Sequence, residues 1–138
     1  MFDRCLYFNT NHLSRIVNKI WKDAYAELNL APAHAYLLRL VLAQPGLAQK
    51  QIATELHLEK STITRFIDKM VEDGYLLRKA SAGSNQKEQC IFATATAQAI
   101  EHRLNEIGDQ LYARMQQKVS LDDLTKLVTL ERSASEEL

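Results

Sequence analysis

Apolar residues recur at intervals of three and four along most of this chain, the signature of helices with one buried face. From about residue 4 to 29, Leu6, Leu13, Ile16, Val17, Ile20, Ala24 and Leu28 share such a face, with Trp21 and Tyr25 at its edge. Pro32 suits the first turn of a second helix, where any residue's N–H would lack an intrahelical partner. Tyr36, Leu37, Leu40 and Val41 supply that helix's buried face, and Pro45-Gly46 ends it. A short third helix is predicted over about 49 to 57 with Ile52, Ala53 and Leu56 inward, although Ala48 is a poor N-cap. A fourth runs from about Lys60 to Asp73 on a stripe of Ile63, Phe66, Ile67 and Met70, and Gly74 follows as a left-handed C-cap.

The pattern then changes. Two short strands are predicted over about 76 to 80 and 89 to 93, separated by the polar run Ser81-Ala82-Gly83-Ser84-Asn85-Gln86-Lys87, a loop by composition. Thr94 can cap a fifth helix over about 95 to 117, with Ile100, Leu104, Ile107, Leu111 and Met115 on one face. Ser120 opens a sixth, with Asp123 at its third position as an acidic form of the capping box. Leu121, Leu124, Leu127 and Leu130 continue its stripe, and fraying is expected from Ser133 onward.

Composition narrows the class. The 138 residues fit one domain, with 46% hydrophobic and 25% charged residues, enough for a core without staples. Arg4, Asn9, Asn11 and His12 interrupt any leader-like apolar run, and no stretch approaches a membrane span, so a cytoplasmic protein is expected. Cys5 and Cys90 form no C-x-x-C pair, which points to neither a disulfide framework nor zinc. No Gly-rich phosphate loop, nucleophile elbow or H-E-x-x-H occurs, so an enzyme is not expected and no cofactor is implied.

The order of elements over residues 32–93 is that of a winged helix-turn-helix with a two-stranded β-wing. In that mainly α design the fourth helix enters the major groove of duplex DNA and the hairpin reaches a neighbouring minor groove or the phosphates. The polar side of the fourth helix carries Ser61, Thr62, Thr64, Arg65 and Lys69, whose hydroxyls and guanidinium suit phosphates and base edges. Lys60, Arg78, Lys79 and Lys87 are candidates for phosphate around it. Net charge is zero, yet from Lys60 to Lys87 six basic residues stand against three acidic ones, a local +3.

The run Gln51-Ile52-Ala53-Thr54-Glu55-Leu56, followed by Ser61-Thr62-Ile63-Thr64-Arg65-Phe66-Ile67-Asp68-Lys69-Met70-Val71-Glu72-Asp73-Gly74-Tyr75-Leu76, resembles the turn, recognition helix and wing start of the MarR (multiple antibiotic resistance regulator) family. The resemblance extends over nearly the whole chain. It implies one domain over 1–138, a homodimer joined through helices in 1–31 and 94–138, and palindromic operators. It also implies a small-molecule pocket where the DNA-binding and dimer regions meet, and hence a dimeric, effector-responsive repressor. The chain departs from the family in its wing, where Asn85, Gln86 and Lys87 stand for the usual Asp-Arg-Arg, and in Ala93-Thr94 for the usual Leu-Thr. A winged helix that binds protein and has lost DNA is therefore an alternative.

His12, Trp21, Tyr36 and Arg39 are candidates for the effector site, since aromatic walls with one cation suit an aromatic or anionic ligand. A redox- or zinc-responsive regulator is a further alternative. Cys5 lies near the helix start where peroxide-sensing relatives keep a cysteine, but two residues out of register, and it reads as a small apolar residue. His34, with His102 and Glu106 one turn apart, could converge on zinc, but the pattern reads as unrelated histidines.

Overall fold

The computed structural model describes residues 1–80 and 88–138. It falls into two compact units, Met1–Asn105 and Glu106–Leu138. The helices are α1 (Leu6–Tyr25), α2 (Pro32–Ala43), α3 (Gln49–Glu55), α4 (Lys60–Glu72), α5 (Ala95–Lys118) and α6 (Leu121–Glu137). The strands are β1 (Leu47–Ala48), β2 (Leu76–Ala80) and β3 (Gln89–Ala93). All six helices stand where the apolar spacing predicts them. None is long and apolar enough to cross a membrane.

The core of the first unit is closed. Leu37, Leu38 and Val41 of α2, Ile52 of α3, Ile63, Ile67 and Met70 of α4, and Ile91 of β3 are fully buried. Burial of one such side chain stabilises by about 1.5–3 kcal/mol, so α4 is held chiefly by its three-residue stripe. Its end is set by Gly74 at φ +84°, with the Tyr75 N–H donating to the Met70 carbonyl at 2.9 Å. That is a Schellman turn, with the glycine taking the left-handed position. Thr94 caps α5 by accepting from the Ala97 N–H at 3.3 Å, and its hydroxyl donates to the Gly74 carbonyl at 2.6 Å. One threonine therefore starts α5 and fastens it to the turn after α4. A bidentate ion pair from Arg103 of α5 to Glu27 holds the single 3₁₀ turn Ala26–Leu28. The same hydrogen bonds keep the Glu27 carboxyl below its usual range.

Several expectations need correction. The sheet has three strands in the order β1-β3-β2, all antiparallel, rather than the two of a simple wing. Two residues, Leu47 and Ala48, pair with Ile91 and Cys90, a strand too short to show any alternation. The α-helical part of α1 stops at Tyr25, and a 3₁₀ turn and Asn29 at φ +54° complete the predicted segment. Tyr25 is fully buried rather than at an edge, while Tyr36, expected inside, is exposed. Leu38, fully buried, takes the interior place assigned to Tyr36. Ala48 begins α3 without a capping side chain, and the Gln51 side chain compensates by accepting from the Ala48 N–H at 2.9 Å.

In the second unit the end of α5 turns directly into α6. The Val119 N–H donates to the Met115 carbonyl at 2.8 Å, and Ser120 Oγ accepts from the Asp123 N–H at 3.2 Å, as its capping role requires. The helix continues to Glu137 instead of fraying at Ser133. Its apolar stripe is uncovered: Leu121, Leu127, Val128 and Leu130 are exposed and Leu124 is half-buried.

Candidate nucleic-acid interface

Between α3 and α4 the chain makes a second Schellman turn, with the Leu58 N–H donating to the Ala53 carbonyl at 3.0 Å. His57 takes the left-handed position at φ +54°. The turn ends in extended backbone at Glu59, whose side chain does not cap α4. The first-turn amides of α4 are thus left to outside partners, and a helix N-terminus of this kind favours an anion.

A helix advances about 100° per residue. With Ile63, Ile67 and Met70 facing the core, Ser61 and Arg65 point away from it on one line. Both are exposed, as are Lys60 and Lys69. Thr62 flanks that line and is half-buried. Lys69 Nζ lies 3.2 Å from the Asp73 carboxylate, and the Arg65 guanidinium lies 6.0 Å from the Phe66 ring. Phe66 is edge-on to His34 of α2, with ring centroids 4.8 Å apart. Burial holds the His34 imidazole below its usual pKa, with Asp73 opposing that shift and Lys69 adding to it.

Thr64 and Arg78 have other engagements. The Thr64 hydroxyl donates to the Lys60 carbonyl at 2.9 Å and accepts from Gln49 Nε2 at 2.6 Å. Arg78 of β2 is ion-paired with Asp68 of α4, and its Nη2 stands 3.5 Å from the Thr64 carbonyl. Lys79, next along β2, is exposed, its ammonium 5.0 Å from the centre of the Phe92 ring. Lys87, Asn85 and Gln86 lie outside the described residues.

Sequence reasoning missed Gln49, Asp68, Lys50 and His57. Lys50, Thr54, His57 and Lys60 line a shallow cleft of about 350 Å³ beside the turn. The i, i+4 spacing of Lys50 and Thr54 on one side of α3 was the available signal, and His57 follows in the turn. Nothing local marks Gln49 or Asp68, because their partners are 15 and 10 residues away.

Of the effector candidates, Trp21, Tyr36 and Arg39 come together. The Trp21 indole N–H donates to the Tyr36 hydroxyl at 3.0 Å, and the Arg39 guanidinium lies 5.4 Å from the Tyr36 ring centre. His12 is exposed and lies nine residues before Trp21, about 13 Å along the helix axis. Tyr25 joins the cluster unpredicted, with its ring edge-on to Tyr36 at 6.4 Å. Its hydroxyl is buried with no hydrogen-bond partner among the described residues. Burial raises the Tyr25 phenol pKa, with Tyr36 adding to the rise; the Arg39 guanidinium acts against it by its charge and by its approach to the phenol oxygen, while its Nε–H is directed to Asn105 at 3.2 Å. A cleft of about 200 Å³ lies elsewhere in the unit, between Val41, Leu42, Pro45, Phe92, Ala93, Gln98 and Glu101. Among the described residues no group of three or more His, Cys, Asp or Glu side chains is placed to hold a metal ion.

Residues 30–86, which contain α2, the turn and the recognition helix, match the MarR family model. Over those residues the chain is similar to the MarR family. Its fold is that of MarR proteins of known structure. The PcaV transcriptional regulator from Streptomyces coelicolor, solved with its natural ligand, superposes with a TM-score of 0.87 at 17% identity, over 99% of this chain and 95% of that one. The repressor CouR, solved on a 23-mer DNA duplex, gives 0.86 at 20% identity over 97% and 94%. MepR from S. aureus, solved with DNA, gives 0.86 at 14% identity over 99% and 100%. No curated protein sequence matches the chain.

Proposed function

We propose that this MarR-like chain is a homodimeric, sequence-specific reader of duplex DNA that acts as an effector-responsive repressor. The observation that carries the reading is the pair Ser61 and Arg65, exposed on one line of α4 directly opposite a fully buried stripe. An arginine so held can reach guanine O6 and N7 in the major groove, and the serine a phosphate or a base edge. Lys60, Thr62, Lys69 and Lys79 flank that line, and Lys87 joins them as a phosphate contact on its sequence position alone. Residues 32–93 form the DNA-binding region, and 1–31 and 94–138 the dimerisation helices of a single functional domain in the cytoplasm. CouR and MepR, both solved on DNA, share this fold and support the assignment.

Arg65→Ala tests it. Affinity for the operator falls by about 1–3 kcal/mol, with a much smaller loss on random duplex. Equal losses on both would make Arg65 a phosphate contact and remove the basis for base reading.

The effector site is assigned to Trp21, Tyr25, Tyr36 and Arg39. A buried hydroxyl whose proton meets no acceptor, beside a guanidinium and two further aromatic rings, suits a small aromatic anion, which would supply that acceptor. His12 stands apart from the cluster within one chain. A ligand there represses or releases only through unequal affinity for two dimer states. Titration of Trp21 fluorescence with benzoates and phenolates gives a saturable shift that Arg39→Ala weakens; the absence of any shift leaves a constitutive binder.

A further inference from the structure

Two residues that a sequence reading places on DNA are occupied within the protein. The only proton of the Thr64 hydroxyl is given to the Lys60 carbonyl, and one of its lone pairs accepts from Gln49. Arg78 is held by Asp68, with the Thr64 carbonyl at the limit of hydrogen-bond distance. These contacts join three elements at one turn of α4: Gln49 begins α3, Thr64 and Asp68 are one helical turn apart, and Arg78 belongs to β2, the strand that leads into the wing.

Charge favours the same assignment. Asp68 lies three residues after Arg65, beside the line that faces outward. A phosphate that drew Arg78 away would leave this carboxylate unpaired next to the polyanion. With Arg78 in place the two charges cancel and the pair contributes little net attraction to DNA.

We propose that Gln49, Thr64 and Arg78 are positioning residues. They form a polar chain that fixes the rotation of the recognition helix relative to α3 and the base of the wing, so that Arg65 and the wing meet DNA in one register. The proposal rests on the DNA-reading assignment above, and it makes Thr64 and Arg78 determinants of specificity without contact to a base or phosphate.

The test uses the full chain and the variants Thr64→Val, Thr64→Ser, Asp68→Asn and Arg78→Lys. Binding to operator and scrambled duplex is measured over a salt series, alongside amide hydrogen exchange. A phosphate ligand contributes to the slope of log affinity against log salt, whereas a positioning residue does not. The expected result is a roughly 3- to 10-fold loss of operator affinity for Thr64→Val, the size of one lost hydrogen bond, with the slope unchanged and Thr64→Ser close to wild type. Asp68→Asn and Arg78→Lys lower the operator-to-scrambled ratio at unchanged slope and speed exchange in α4 and β2 together.

Tighter binding of Asp68→Asn to every duplex, with a slope steeper by about one, overturns the proposal in favour of Arg78 as a phosphate ligand. A Thr64→Val loss confined to one base pair of the operator overturns it in favour of direct reading. If the wild type prefers no duplex, the DNA assignment itself has failed, and hydrogen exchange still decides the brace: linked acceleration of α4 and β2 upholds it, and unchanged exchange removes it.

Discussion

The central helix-turn-helix and the outermost helices α1 and α6 are built on the same three-and-four apolar spacing, yet only the first buries its stripe within one chain. Ile63, Ile67 and Met70 of α4 are 0% exposed, whereas Leu6 and Ile16 of α1 stand at 65% and 46% and Leu130 of α6 at 67%. Periodicity says that a face must be covered; it does not say by what. Stripes this apolar are rarely left to water, and larger exposed patches mark interaction surfaces. The proposal that a second copy covers them accounts for both halves of the comparison. On that proposal the helix-turn-helix folds on its own core, and α1 and α6 are completed by association.

The largest expected effect comes from breaking the second half of this comparison. Leu127→Glu combined with Leu130→Glu should reduce the solution mass to that of a single 15.7 kDa chain in sedimentation. Operator affinity should fall by about 100-fold or more as two tethered half-site contacts become one. Helix content by circular dichroism should stay near wild type; a variant that unfolds instead would show that the winged core depends on the dimer.

Ile67→Ala should act on the other half. It removes fully buried atoms and leaves a cavity, so chemical denaturation should show a loss of about 2–5 kcal/mol. Leu130→Ala, at an exposed site, should leave the stability of a monomeric background nearly unchanged. Comparable losses at the two sites would erase the distinction.

The smallest effect concerns His34, which packs α2 against the recognition helix through Phe66. Its folded pKa is depressed by burial below 6.5, so the unfolded chain takes up the proton more readily. The stabilising contribution is complete above about pH 6.5 and is lost as pH falls toward the folded value. His34→Leu should flatten the dependence of thermal stability on pH between about 7 and 5; an unaltered profile would assign that dependence to other groups.

Much of this molecule was legible in the residues. The stripe Ile63, Ile67, Met70 and the glycine at 74 set out the recognition helix with its end, and Thr94 and Ser120 cap the helices they were expected to cap. Those features are local, and local spacing reports them. Tyr25 and Tyr36 were exchanged between core and surface because α2 is apolar nearly all round, so Leu38 fills the interior as well as a tyrosine could. The strand Leu47–Ala48 has no period to read. The contacts that re-aim the site, Gln49 to Thr64 and Asp68 to Arg78, join residues that only the fold brings together. A hydroxyl or guanidinium on a polar helix side looks the same in sequence whether it faces DNA or a neighbouring element.

The most direct measurement is a fluorescence-anisotropy titration of the wild-type chain with the DNA upstream of its own gene, against a scrambled duplex, at two salt concentrations. The account predicts tighter binding to the upstream DNA and a steep loss of affinity as salt rises. Equal binding to both duplexes, or none to either, would contradict it and favour a winged helix that binds protein, with the altered wing at Asn85, Gln86 and Lys87 as the first place to look.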